Sequence, residues 1–128
     1  IQLKNRIKIA IVNMHYLFAL TENFEKEVML EGKTKTVLVP AGFLTDFASV
    51  PEALWFWISP FGKHQEAALI HDCLYANKGA IQGIEKKLTR KEADELFYQI
   101  MLKDGVNKNK AKAMKLGVRL FGGKYWKK

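Results

Sequence analysis

The sequence predicts an α+β fold, with a small N-terminal antiparallel β-sheet followed by three main α-helices and one short helix. Two patterns and the chain length lead to this prediction. Residues 1–40 contain short runs of alternating side chains, as half-buried strands do. Residues 63–121 repeat apolar residues at helical spacing between capping signals. A chain of 128 residues has the length of one domain, so we expect a single domain over 1–128, with a β-rich part (1–40) and a mainly helical part (41–128).

The β-rich part contains four predicted strands. Two short alternating runs lie around Ile9 and Phe18. Two longer runs, Phe24–Leu30 and Lys35–Val39, flank Glu31-Gly32-Lys33, which favours a hairpin turn.

Residues 40–62 combine a loop with the predicted short helix. Ser49-Val50-Pro51-Glu52 matches a capping box with a proline near the first turn, and the helix should run to about Ile58. Asp46 precedes this cap, and the sequence leaves open whether it bonds loop amides or reaches the next helix. The aromatic residues of the segment are expected to pack against the sheet: Trp55, Phe56, Trp57 and Phe61.

The helix predicted over Lys63–Asn77 is apolar around most of its circumference, which indicates a buried helix. It nevertheless contains His71 and Asp72. His71 and Tyr75 share a face, whereas Asp72 points roughly 100° away. Because a buried ionisable group costs free energy unless it is partnered, other parts of the chain must supply partners.

Residues 78–88 contain two glycines and are expected to form a surface-exposed loop. Two further helices follow this loop. The capping box Thr89-Arg90-Lys91-Glu92 begins one that runs to about Lys103. Asp94 lies beside its apolar stripe and is either a partner for His71 or a solvated first-turn carboxylate. The last helix should run from Asn107 to Phe121.

The net charge of +8 favours anionic partners, and the excess lies after Lys103, where Asp104 is the only acidic residue. The last helix has a basic side, which is formed by Lys108, Lys110, Lys112, Lys115 and Arg119. This side and the basic tail form either a solvated face or a site for nucleic acid or phospholipid. No apolar run reaches the roughly 20 residues of a transmembrane segment. The single cysteine, Cys73, excludes an internal disulfide, and its place in the apolar helix indicates a buried thiol.

Four segments together resemble a phage and prophage family known as domain of unknown function 1353: Val39–Pro51, His71–Tyr75, Glu92–Phe97 and Val118–Gly123. The resemblance implies a phage-encoded or prophage-encoded protein. It also implies other phage proteins as partners and a location in the virion, such as the tail, or in the host bacterial cytoplasm.

The order His-Asp-x-x-Tyr on one helix and Ala-Asp on the next is similar to the helix pair of phospholipase A2, especially its viral form. That resemblance implies that His71 activates a water, Asp94 orients His71 and Tyr75 braces both. It further implies that Asp72 holds Ca²⁺, with Asp46 as a second carboxylate. The glycine-rich calcium loop of that family has no counterpart here, because only Gly42 and Gly62 precede the helix nearby.

Two functions therefore remain open. In the first, which the sequence favours, the protein is a structural or accessory phage protein built around a buried His–Asp network. In the second, it is a hydrolase that cleaves phospholipid esters with a divalent metal. The second requires an imidazole with one nitrogen bonded to a carboxylate and the other free.

Overall fold

A computed structural model describes residues 9–11, 18–45 and 63–126. It confirms the α+β fold: strands occupy the N-terminal side, and three helices follow. The predicted short helix after Ser49, together with Asp46 and the aromatic segment, lies outside the described residues.

The strands that the structure describes form two antiparallel sheets, where the sequence predicted one. Strand β2 (Phe18–Leu20) pairs with β1 (Ile9–Ile11) on one side. On its other side it pairs with β5 (Leu44–Thr45). The second sheet is the predicted hairpin, β3 (Phe24–Leu30) and β4 (Lys33–Val39).

The hairpin turn has only two residues, Glu31 and Gly32, with φ angles of 52° and 77°. Positive φ at both central positions matches the twist of the flanking strands, and glycine adopts it without strain. For this reason β4 begins at Lys33, two residues earlier than predicted. The side of the hairpin facing the core carries the partly buried Lys26 and four buried apolar residues: Phe24, Val28, Val37 and Val39.

The helices are α1 (Gln65–Ala76), α2 (Arg90–Lys103) and α3 (Lys108–Phe121), and a 3₁₀ helix (Gly122–Tyr125) follows α3. Helix α2 packs against both α1 and α3, and it also contacts β3. The capping box at Thr89 is present, with Glu92 completing it. Asn107 caps α3 by accepting hydrogen bonds from Asn109 N and Lys110 N.

A charged contact joins the hairpin to the helices. The Nζ atom of Lys26 on β3 lies 2.7 Å from Oε1 of Glu66 in α1 and 3.0 Å from Oδ1 of Asp104, just after α2. Because the Lys26 side chain is largely covered, these pairs are screened less than exposed ones. They hold the hairpin beside the end of α2.

The connection between α1 and α2 is packed, and our expectation of a surface-exposed loop there is wrong for its apolar residues. Ile81, Ile84 and Leu88 are buried. The amide of Leu38 in β4 donates to the carbonyl of Gln82 at 2.9 Å. The connection approaches the backbone of β4 so closely that position 83 requires glycine, because a Cβ there would lie 1.9 Å from the carbonyl oxygen of Thr36.

Candidate functional site

The carboxylate of Asp94 is the centre of a buried hydrogen-bond network. Its Oδ1 accepts from Nε2 of His71 and from the hydroxyl of Tyr75, each at 2.6 Å. Its Oδ2 accepts from Nη1 of Arg119 at 2.7 Å. His71 and Asp94 have no solvent-exposed surface. The structure therefore places Asp94 as the partner of His71, the first of the two alternatives that the sequence left open.

Local helix geometry brings these groups together. His71 and Tyr75 are one turn apart on α1, so both reach the same side. Asp94 lies in the second turn of α2, after the cap at Thr89, and Arg119 lies in the last turn of α3. Each of the three helices thus contributes at least one polar group to one point in the core.

Two aromatic rings hold the imidazole of His71. The ring centroid of Tyr75 lies 4.2 Å from that of His71, and the centroid of Phe97 lies 4.6 Å away. Both rings are buried. They restrict rotation of the imidazole and keep Nε2 directed at Asp94.

The two nitrogens of His71 have different surroundings. Nε2 donates to the Asp94 carboxylate, which can only accept when ionised. The neutral imidazole then carries its lone pair on Nδ1, and Nδ1 is buried without a hydrogen-bond partner among the described residues. An unsatisfied buried polar atom costs about 1–3 kcal/mol, so its presence calls for an explanation.

Burial and hydrogen bonding oppose each other at Asp94. Burial acts to raise the pKa of Asp94, but hydrogen bonds from His71, Tyr75 and Arg119 outweigh it and hold the pKa below its ordinary value. The pKa of Tyr75 is raised, first by burial and then by its hydrogen bond to Asp94. The carboxylate is therefore ionised and the phenol protonated at neutral pH.

The sequence did not identify two arginines of this network. We assigned Arg119 only to the basic side of α3, yet it contacts Asp94 directly. Arg90 donates from Nε to the Tyr75 oxygen at 3.1 Å and from Nη2 to the carbonyls of Val118 and Arg119. A buried carboxylate needs a nearby cation or several hydrogen-bond donors. This requirement was the signal in the sequence that could have identified the arginines.

Of the two predicted metal ligands, Asp72 is the one that the structure describes. Asp72 is half-buried, and its Oδ2 accepts from Oγ1 of Thr45 at 2.5 Å. Asp46, the second predicted ligand, is outside the described residues. Within the ranges that the structure describes, no group of three or more His, Cys, Asp or Glu side chains could hold a metal ion.

Cys73 is 3% exposed. Burial raises the pKa of its thiol to about 11. The thiolate population at neutral pH is correspondingly small, so Cys73 is a poor nucleophile.

The family model described as "Protein of unknown function (DUF1353)" matches residues 19–118 of the chain. The chain belongs to the DUF1353 family. The matched region of this DUF1353 protein runs from β2 to nearly the end of α3 and contains His71, Tyr75, Asp94 and Arg90. No curated protein and no solved structure matches the chain. None of the helices described here is both long enough and apolar enough to cross a membrane.

Proposed function

We propose that this DUF1353 protein is a phage-encoded or prophage-encoded accessory protein, associated with the virion, whose buried His–Asp network fixes the packing of its three helices. The observation that supports this role is the convergence on Asp94 of donors from α1 and α3. Breaking a buried charged network costs about 3–5 kcal/mol, which is a large part of the stability of a small domain.

The complete burial of His71 favours this structural role over catalysis. A catalytic imidazole has to meet its substrate, yet His71 has no exposed surface. Three surface cavities formed by described residues, of about 370, 410 and 520 Å³, are lined by neither His71 nor Asp94. The network thus has the features of a buried polar network that specifies how the helices pack in the core.

The virion association rests on the resemblance of the four motif segments to phage and prophage proteins, and other phage proteins are the proposed partners. Particles purified from the bacterial host that encodes the protein should contain it, as measured by mass spectrometry of their components. Its presence only in the cytoplasmic fraction, with none in the particles, would contradict this part of the proposal.

A second function, ester hydrolysis, is favoured by the difference between the two His71 nitrogens. Nε2 is bonded to a carboxylate, and Nδ1 has no hydrogen-bond partner among the described residues. A general base needs this arrangement, in which the free nitrogen takes a proton from water and the carboxylate stabilises the resulting imidazolium. Admission of water and substrate would require an opening toward Nδ1.

The calcium ion implied by the phospholipase A2 resemblance does not fit the described residues. Calcium takes six to eight oxygen ligands. Asp72 is the one described carboxylate among the predicted ligands, and Thr45 already donates to it. We therefore assign no step of this second function to a metal.

One set of variants separates the two functions. Under the structural role, His71→Ala lowers the free energy of unfolding by about 3 kcal/mol, and the wild-type protein hydrolyses no ester. Hydrolysis of a phospholipid or a chromogenic ester by the wild type, lost in a folded His71→Gln variant, would replace the structural role with the catalytic one. Gln99→Ala, at an exposed position of α2, is the control for both measurements.

A further inference from the structure

The end of α3 and the 3₁₀ helix after it carry apolar side chains that the fold leaves uncovered. Leu116 and Leu120 lie one turn apart on α3 and are 58% and 65% exposed. Phe121 is 62% exposed and Tyr125 is 40% exposed. A single exposed apolar residue is ordinary, but four within ten residues at the end of one helix favour an interaction site.

Unpaired lysines flank these apolar side chains. Lys112 precedes Leu116 by one turn, and Nζ of Lys124 lies 5.1 Å from the centroid of the Tyr125 ring. Neither lysine forms an ion pair with another described residue. The sequence from Val106 to Lys128 contains no aspartate or glutamate, so no acidic residue of this segment neutralises the charge of the two lysines.

The cations of α3 and of the 3₁₀ helix therefore fall into two groups. Lys115 pairs with Glu95, and Arg119 pairs with Asp94, so both are engaged by α2. Lys108, Lys110, Lys112 and Lys124 are exposed, and Lys112 and Lys124 flank the exposed apolar side chains along the chain. The first group is explained by the packing of the helices, whereas the second group has no ion pair with the described residues and is accessible to an anionic partner.

We propose that this apolar–basic patch, formed by Leu116, Leu120, Phe121, Tyr125, Lys112 and Lys124, docks on the surface of an anionic phospholipid membrane. The leucines enter the boundary between head groups and acyl chains, and the lysines remain with the phosphates. A nucleic acid fits less well. Its phosphates would contact the lysines and its bases would stack on the aromatic rings, but it provides no apolar environment for the two leucines. This inference goes beyond the accessory role and does not depend on the chemistry of His71.

The test is flotation of the full chain with two kinds of vesicle, phosphatidylcholine alone and phosphatidylcholine mixed with phosphatidylglycerol. We expect binding to the mixed vesicles that weakens as salt rises. Leu116→Ser with Leu120→Ser should weaken binding at least about tenfold, because less apolar surface enters the membrane. Lys112→Gln with Lys124→Gln should weaken it by roughly fivefold per lysine at low salt.

Matched variants show whether the effects belong to the patch. Met29→Ser removes a side chain that is 50% exposed on β3, and Lys33→Gln with Lys87→Gln removes two charges from other exposed positions. These three substitutions should leave vesicle binding within about twofold of the wild type, with circular dichroism confirming that all variants fold.

Three outcomes would overturn the proposal. The first is no binding to anionic vesicles. The second is binding to RNA that exceeds vesicle binding and is insensitive to the leucine substitutions, which would indicate a nucleic-acid site. The third is a wild-type dimer in sedimentation that the leucine substitutions convert to monomer, which would indicate that a second copy covers the patch.

Discussion

The Nε2 atom of His71 and the Oδ1 atom of Asp94 lie 2.6 Å apart, and neither side chain has any solvent-exposed surface. This pair joins α1 to α2, and Arg119 extends the connection to α3. The packing of the helical part thus depends on one carboxylate staying ionised and fully bonded. Substitutions of Asp94 and Tyr75 test that dependence.

Asp94→Asn should lower the free energy of unfolding by about 3 kcal/mol. The substitution keeps the shape of the side chain but removes its charge and directs an NH₂ group at a donor, so at least one buried contact is lost. Chemical denaturation measures the change. The neighbouring Glu95→Gln is the control, because the Glu95 side chain is 47% exposed and the loss of its surface ion pair with Lys115 should cost about 0.5 kcal/mol or less. Equal stability of the two variants would contradict a central role for Asp94.

Tyr75→Phe should destabilise the protein by about 1–2 kcal/mol. The hydroxyl donates to Asp94 and accepts from Arg90, so its removal leaves a buried acceptor and a donor with fewer partners. Tyr98→Phe is the matched control, since the Tyr98 hydroxyl forms no hydrogen bond with the described residues, and it should change stability by a few tenths of a kcal/mol. Thermal unfolding of both variants provides the comparison.

Gly83→Ala should destabilise the fold by about 3 kcal/mol or more. The φ angle of Gly83 is 106°, and the new Cβ would lie 1.9 Å from the Thr36 carbonyl oxygen, so the α1–α2 connection would have to move away from β4. Gly32→Ala separates backbone strain from this clash, because φ is 77° there but no heavy atom lies within 4 Å. We expect a cost of about 1 kcal/mol for Gly32→Ala. Comparable losses for the two variants would mean that the connection packs less closely on β4.

Stability should fall as the pH drops from about 6.5 to about 4, in part because of His64. Burial lowers the pKa of His64 from 6.5 to about 4. Between these values the unfolded chain binds a proton at this residue that the folded protein does not, so protonation favours unfolding by up to ~3 kcal/mol. Denaturation at several pH values should show a shallower decline for His64→Gln than for the wild type. An unchanged slope in that variant would mean that His64 is not buried as a neutral imidazole.

Local signals in the sequence predicted the helices closely. The capping box at Thr89 and the cap at Asn107 gave starts that agree with the structure, and α2 and α3 end at Lys103 and Phe121 as expected. These ends are determined by hydrogen bonds within a few residues of each other. The spacing of His71 and Tyr75 likewise showed that they share a face.

The sheets and the α1–α2 connection were predicted less well. Whether β2 pairs with β5 depends on where the tertiary fold places Leu44 relative to β2, and no local sequence pattern contains that information. The connection over residues 78–88 reads as an exposed loop because it contains glycine and lysine. Its burial depends on the hairpin, whose Thr36 and Leu38 backbones it contacts.

The sequence by itself determined that an imidazole and carboxylates would lie on adjacent helices and that the C-terminal part would be basic. Only the tertiary structure decided which acid meets His71, that Arg119 turns inward while Lys112 faces solvent, and that Nδ1 lacks a described partner. The physical reason is distance along the chain. Caps and helix faces depend on neighbours within one or two turns, whereas Asp94 meets His71 from 23 residues away and Arg119 from 25, through packing that involves the whole core.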